Sequence, residues 1–502
     1  MNNKGKITKK QETLKADADD VTTLLAGVAK SDITTDQPGI RINDPLYAKA
    51  LVLDDGQTKI VIITMDAVAI GGICDIRDDF LPKLRKRIQQ KLKIDGRNVL
   101  VNASHTHPPG RLLCSDAAQL TRTFDAVKRA LHKMAPVTVG SGIGHEDRIM
   151  MNRRLRLKNG KCWTIRHTNP CPPDEDVAGL GPVDPDIGIL RIDKMDGRPL
   201  AVVYNFACHP YLGVLRGGVT ADFPGFASKV IEEHLGGNVM ALFLQGAAGD
   251  ITDILYKDIS RPGDSESIGT MLGLSTLKAL RKIRTHAAKL NILSESLQLP
   301  RKMDAPARIK ELQKEQTALL SSLRFTTLNL KTFLPLYLKY SLNPDYPSDY
   351  SYRYLQANTL GTSTYANIDA KNRRILDKYL KNIRAMEKLA KIQDNIATLK
   401  RHYEANRKTG ESSISTEIQG IRIGDFVLIT SPAEVFVEIG LNIKKASPHR
   451  HTFIAAFSNG YIHYGPTLAD YEKGGYEVTE CLLAPKWQRL FEEKAQRILC
   501  RL

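Results

Sequence analysis

The sequence predicts an α/β fold, because apolar runs typical of buried strands alternate with segments of helical spacing along the chain. Metal-capable and other polar residues directly follow several of these strands, which is where ligands bind in open α/β sheets. The composition is that of a globular protein, with 42% hydrophobic and 25% charged residues in 502. The chain is therefore long enough for one large domain or a few ordinary ones.

The predicted elements follow from periodicity and from turn residues. The Asp54-Asp55-Gly56 turn between the first two apolar runs predicts a β-hairpin. Apolar runs of strand length predict strands at 47–53, at 59–65, from Val99, at 201–207, at 238–244 and at 452–457. Apolar residues at helical spacing predict helices at 75–92, 117–134, 306–330 and 369–403.

Changes of composition divide the chain into four parts. Residues 1–20 form a polar leader that we expect to be disordered, and 21–300 form the first part of the main domain. Residues 301–410 are a basic helical insertion, interpreted as a helical hairpin that ends near Gly410, and 411–502 complete the main domain with a C-terminal tail. The insertion either packs against the main domain or forms a lid or an interfacial surface for an apolar substrate.

Charge and cysteine content limit the possible partners. The net charge is +17, and 301–410 hold 21 Lys+Arg against 10 Asp+Glu, a surplus of +11. This surplus is compatible with peripheral contact between 301–410 and an anionic membrane, whereas no nucleic-acid-binding motif accompanies it. Seven cysteines without a Cys-x-x-Cys pair predict neither a disulfide framework nor a thiolate metal site. No signal peptide or apolar membrane span is found, so we expect a cytoplasmic protein, or a secreted or periplasmic one if a leader was trimmed.

Five metal-capable or acid–base residues lie at predicted strand ends. The clearest case is the segment 99–110, an apolar run that ends in a loop with His105 and His107. Neutral imidazole is a common zinc ligand, although His-x-His alone is also compatible with a polar turn. The five strand-end residues are His105, His209, Asp250, Glu434 and Tyr464.

Together these motifs resemble the neutral/alkaline non-lysosomal ceramidase family, zinc amidohydrolases that cleave ceramide into sphingosine and a fatty acid. The resemblance rests on Ser104-His-Thr-His-Pro-Pro-Gly, Phe206-Ala-Cys-His-Pro, Gly249-Asp-Ile-Thr, Ser431-Pro-Ala-Glu and Ser458-Asn-Gly-Tyr-Ile-His-Tyr. It implies a layered α/β/β/α-type catalytic domain with mixed sheets. The family continues into a C-terminal sandwich domain, which is not expected in a sequence that ends at Leu502.

The resemblance also implies roles for individual residues. Zinc would be held by His105, His209, Glu434 and Tyr464, and would lower the pKa of its water to about 7. The residues that would line the site and bind substrate or the developing oxyanion are His107, Arg153 and Tyr476. Asp250 would transfer the proton. Thr252 stands where the family has a serine proposed to be catalytic, and Asp253 stands where it has a proline.

Two alternatives to a ceramidase stay open. One is a zinc hydrolase of the same fold that acts on a smaller, more polar amide or ester. The other is a noncatalytic lipid- or membrane-binding module in which the basic insertion binds and the metal site is relict. For a ceramidase-like enzyme, the expected partner is a lipid-like small-molecule substrate. The sequence leaves the oligomeric state open.

Overall fold

The computed structural model describes residues 23–107, 112–165, 172–236, 238–253, 264–347 and 351–502. The predicted leader 1–20 and the Pro108-Pro109-Gly110 part of the first motif lie outside the described residues. The chain divides into two compact units. The first holds the described residues before Pro300 together with Ser415–Lys473 and Lys486–Leu502, and the second holds Pro300–Ile414 and Gly474–Pro485.

An eight-stranded mixed sheet forms the first unit's centre, in the order β12-β11-β10-β5-β1-β2-β3-β4. Only the pairs β3–β4 and β11–β12 are parallel. The strands are β1 (Leu25–Asp32), β2 (Tyr47–Asp54), β3 (Lys59–Met65), β4 (Val99–Ala103), β5 (Ala135–His145), β10 (Asp186–Lys194), β11 (Pro199–Phe206) and β12 (Met240–Gln245). The predicted hairpin is confirmed by the antiparallel pairing of β2 with β3.

A second mixed sheet lies against the first, in the order β14-β15-β16-β18. Its strands are β14 (Leu290–Pro300), β15 (Ser413–Ile423), β16 (Phe426–Thr430) and β18 (His451–Ala455). The short remaining strands are β6 (Met150–Asn152), β7 (Arg154–Leu157), β8 (Cys162–Thr164), β9 (Val177–Leu180), β13 (Ile251–Asp253), β17 (Glu434–Val435) and β19 (Tyr464–Gly465).

Side-chain alternation along β11 explains the layers of the first unit. Val203 packs with Leu428 and Phe453 of the second sheet, whereas Tyr204 points the other way and packs with Phe223 beneath the helices. Helices cover the outer faces, which gives the layered arrangement. The helices of this unit are α1 (Phe80–Leu92), α2 (Asp116–His132), α3 (Asp222–His234), α4 (Ser265–Leu280), α9 (Val437–Ala446), α10 (Asp470–Lys473) and α12 (Trp487–Leu499).

Helix α1 begins five residues later than the helix predicted at 75–92. Asp75 instead accepts hydrogen bonds from the backbone N–H groups of Leu112 and Leu113, and Asp78 accepts one from Gly72. Aspartate side chains that bind nearby or distant backbone compete with helix formation, so apolar spacing alone places the start too early.

The second unit is helical. Its helices are α5 (Ala305–Ser322), α6 (Leu330–Leu342), α7 (Tyr352–Thr359), α8 (Thr364–Lys408) and α11 (Tyr476–Glu480). Helices α5 and α8 pack together as the predicted hairpin, but the predicted helix 306–330 ends at Ser322. The break is stabilised by Asn382 of α8, whose amide bonds both the N–H and the carbonyl of Arg324, and α6 then begins at an Asn329–Thr332 capping box. Among the described residues, no helix is long and apolar enough to span a bilayer.

Candidate metal centre

The centre is built from loops that follow neighbouring strands. His105 follows β4, His209 follows β11, and Glu434 follows β16 after a short turn. Gln245, the last residue of β12, connects two of these loops, because its side-chain amide donates to the carbonyls of Ser104 (3.2 Å) and Cys208 (2.8 Å). These carbonyls immediately precede the two histidines, so Gln245 fixes the spacing between them.

Hydrogen bonds to backbone carbonyls orient both buried imidazoles. His105 Nδ1 lies 2.6 Å from the carbonyl of Val68, and His209 Nδ1 lies 2.6 Å from that of Ala248. A carbonyl can only accept, so each Nδ1 carries the proton and each Nε2 presents a lone pair. His105 adopts φ = 68°, a left-handed conformation that is uncommon for non-glycine residues and strains the backbone at this position.

The two Nε2 atoms converge on one carboxylate oxygen. Glu434 Oε2 lies 3.0 Å from His209 Nε2 and 3.6 Å from His105 Nε2, and all three side chains are buried. His107, the exposed member of the cluster, has its Nε2 2.8 Å from that of His105. The ligand atoms of His105, His107 and His209 lie within 4.8 Å of one another, which makes them a candidate metal-binding group.

Burial and neighbouring charge keep His105 neutral. Desolvation lowers the pKa of His105 well below 6.5, with a further contribution from the positive charge that His107 can carry. The neutral imidazole is the form that binds a metal ion. Buried imidazole nitrogens with a carboxylate are donors that zinc prefers, so the residues fit the ion implied by the sequence motifs.

Tyr464 lies next to Glu434, because β17 and β19 pair in parallel with these two residues opposite each other. Its phenol oxygen accepts a hydrogen bond from Arg153 Nη2 (3.2 Å). Arg153 is itself buried and also donates to the Gly249 carbonyl (2.9 Å) and to the Tyr211 hydroxyl (3.3 Å). The predicted ligand Tyr464 and the predicted substrate residue Arg153 are therefore held together as one buried pair.

Gly249 allows the loops to approach closely. A Cβ atom at this position would lie 2.3 Å from the carbonyl oxygen of Glu434. The Gly249 N–H donates to the Val435 carbonyl at 2.8 Å, which joins the loop after β12 to the strand that begins with Glu434. Glycine is required here because a backbone oxygen occupies the space of a side chain.

Asp250 is anchored in the scaffold beside these loops. One of its carboxylate oxygens accepts from Asn152 Nδ2 (2.8 Å) and the other from the Val437 N–H (2.8 Å). The predicted proton transfer by Asp250 stays a prediction.

Thr252 and Asp253 form a buried pair on β13, and Thr252 bridges to His209 through the backbone. Thr252 Oγ1 donates to Asp253 Oδ1 at 3.2 Å, while Asp253 Oδ2 has no hydrogen-bond partner within the described part of the chain. Burial, reinforced by the charge of Asp222, raises the pKa of Asp253 to about 7. In the sequence this aspartate is only a departure from the family pattern, and no local pattern predicts its burial.

Tyr476 and Tyr461 belong to different units. Tyr476 is the first residue of α11 in the second unit, where it is half-buried, and its role stays a prediction. Tyr461, for which the sequence predicted no role, donates its hydroxyl proton to Glu434 Oε1. Its position in the Ser458-Asn-Gly-Tyr motif was the signal that could have identified it.

The fold and the clustered donors define a mixed α/β protein with a candidate metal centre at its strand ends. The structure is similar to the neutral ceramidase from Pseudomonas aeruginosa, with a TM-score of 0.62, 18% identity, and coverage of 96% of this chain and 75% of that chain. A second similar structure is a ceramidase complexed with C2, with a TM-score of 0.60, 16% identity and the same coverages. No family model matches the sequence. At such identities the similarity confirms the predicted fold and no more.

Proposed function

We propose that the protein is a zinc-dependent amidohydrolase that cleaves ceramide or a ceramide-like N-acyl lipid. The observation that carries the proposal is the convergence of His105 and His209 Nε2 on Glu434 Oε2, beside a third imidazole. The similarity to solved ceramidases supports the choice of ceramide among amide substrates.

The ion would be held by His105, His209, Glu434 and Tyr464. When bound, zinc supplies a Lewis acid and hydroxide at neutral pH. The Nδ1 bonds to carbonyls keep both imidazoles in the tautomer that ligation needs. The Tyr461 hydroxyl holds Glu434 Oε1, which leaves Oε2 toward the imidazoles.

Other side chains of this chain would bind and orient the substrate. His107, exposed at the edge of the cluster, would donate a hydrogen bond to the carbonyl oxygen of the amide as negative charge develops there. Arg153 would act by holding Tyr464 in place. Thr252 would take the place of the family serine through its hydroxyl group, which Asp253 orients. Asp250 would accept the proton and pass it to the leaving amine.

The proposal is tested by hydrolysis of a fluorogenic ceramide before chelation, after chelation and after return of zinc. We expect turnover that chelation abolishes and zinc restores. The exposed His145 provides the matched control, because His145→Ala removes an imidazole that is not part of the cluster and should retain activity. A panel of short, polar N-acyl amides and esters is measured in parallel.

The outcomes separate the candidate functions. Zinc-dependent cleavage of the short substrates alone would overturn the ceramide assignment while retaining the hydrolase. A zinc-loaded protein that cleaves none of the panel would overturn the enzymatic proposal and favour a lipid-binding module.

A further inference from the structure

The second unit exposes apolar side chains on one face of α6. Leu330, Leu334, Leu338 and Leu342 recur every four residues, which places them along one side of the helix. Their exposure is large, reaching 64% for Leu330 and 83% for Leu342, and Phe325 just before the helix is 85% exposed. We call these five residues the α6 ridge. A row of exposed apolar side chains of this kind is typical of an interaction site.

Another side of α6 anchors the helix within the described part of the unit. The packing face carries Phe333, which is buried and lies 4.6 Å from the ring of Tyr379 in α8. On the same side, the Tyr340 hydroxyl donates to Asp369 at 2.7 Å. Because α6 already has an anchored side, the ridge is left for a partner outside the unit.

Charge indicates the class of partner. The segment 301–410 carries the surplus of +11, and cationic side chains on α6 and on the start of α8 are exposed, including Lys331, Lys371, Arg374 and Lys378. Exposed tyrosines also occur nearby, among them Tyr337 and Tyr352. Apolar residues with lysine, arginine and tyrosine around them are typical of helices that lie in the interface of an anionic bilayer.

We propose that the α6 ridge docks on the surface of an anionic lipid bilayer. The leucines and Phe325 enter the region below the head groups, while Lys331 of α6 and other exposed cations of the same unit contact lipid phosphates. This inference goes beyond the proposed amide hydrolysis and does not depend on it. A soluble protein or a second copy of the chain would not require the basic surplus that accompanies the ridge.

Cosedimentation of the full chain with lipid vesicles tests the proposal. We expect stronger binding to vesicles of phosphatidylcholine and phosphatidylserine in equal parts than to phosphatidylcholine alone, and weaker binding at high salt. The double variant Leu334→Ser/Leu338→Ser should lower the partition at least about tenfold, since two apolar side chains no longer enter the bilayer. The matched control Met195→Ser/Leu274→Ser, which alters exposed apolar residues of the first unit, should bind as the unaltered chain does.

Three results would overturn the proposal. The unaltered chain could bind neither vesicle, or the ridge variant could bind as well as the control. A ridge variant that changes the sedimentation mass of the protein, rather than its vesicle binding, would assign the ridge to a second copy. Far-UV circular dichroism of both double variants shows whether the helices are retained, and all substituted residues are exposed.

Discussion

Side chains at the strand ends of the first unit are mostly buried, whereas those of the α6 ridge in the second unit are exposed. At the strand ends, even the charged groups are buried, and carbonyls, amides and hydroxyls fix their positions. On α6, the ridge leucines are exposed, from 49% for Leu334 and Leu338 to 83% for Leu342. The contrast teaches that the first region is built to hold atoms in fixed positions, and the second to present a surface.

The largest contrast should appear when a leucine is shortened in each region. Leu428 in β16 is fully buried between the sheets, so Leu428→Ala should cost about 2–5 kcal/mol of unfolding free energy. Leu338→Ala on the ridge should change it by less than about 0.5 kcal/mol. Both tryptophans, Trp163 and Trp487, lie in the first unit, so urea denaturation followed by fluorescence reports on that unit, and circular dichroism on the helices. Equal losses would contradict the distinction.

Adding a single methyl group at Gly249 should also destabilise the strand-end loops of the first unit. Gly249→Ala places a Cβ against the Glu434 carbonyl, and relieving this contact should cost about 3 kcal/mol. Gly361→Ala serves as a control at a glycine of the second unit whose Cβ would meet no neighbouring atom, although its positive φ adds a smaller backbone cost. A Gly249→Ala protein that is as stable as the unaltered chain would show that the two loops are not tightly packed.

The buried Asp253 should make stability depend on pH. Its folded pKa of about 7 lies above the ordinary value of 3.8, so its stabilising contribution is complete below pH 3.8 and is lost as the pH rises through 7. Between pH 5 and pH 7, the unaltered protein should therefore lose about 2 kcal/mol relative to Asp253→Asn, which cannot ionise. Denaturation at several pH values measures the unfolding free energy of both proteins. If this free energy changes equally with pH in the two proteins, the carboxylate of Asp253 is not buried as described.

The smallest expected effect comes from the Tyr461 hydroxyl. Tyr461→Phe removes the hydrogen bond to Glu434 Oε1 while keeping the ring, and zinc affinity should fall about tenfold. Competition with a chromophoric chelator measures the change, and Tyr346→Phe in the second unit is the control. Unchanged affinity would mean that Glu434 does not need this partner.

Local patterns predicted the fold class and the segments that meet at the centre. Apolar runs ending in His105 and His209 were recognisable because each strand stops where polar residues begin. The residues that fix these histidines were not predictable, since Gln245 connects the carbonyls of Ser104 and Cys208 across 141 and 37 positions of sequence. The ends of the helices were less predictable than their positions. Asp75 and Asn382 affect these ends through hydrogen bonds to residues that are distant in sequence.

The measurement that tests the central claim most directly is the metal content of the purified full chain and of Glu434→Gln. The account predicts about one zinc per unaltered chain, nearly complete loss in Glu434→Gln, and full retention in the control His145→Ala. Glu434→Gln keeps the size of the side chain, so a loss of zinc without loss of helical signal assigns the carboxylate to the metal. Zinc bound equally by all three proteins, or by none of them, would contradict the claim that His105, His209 and Glu434 form a metal centre.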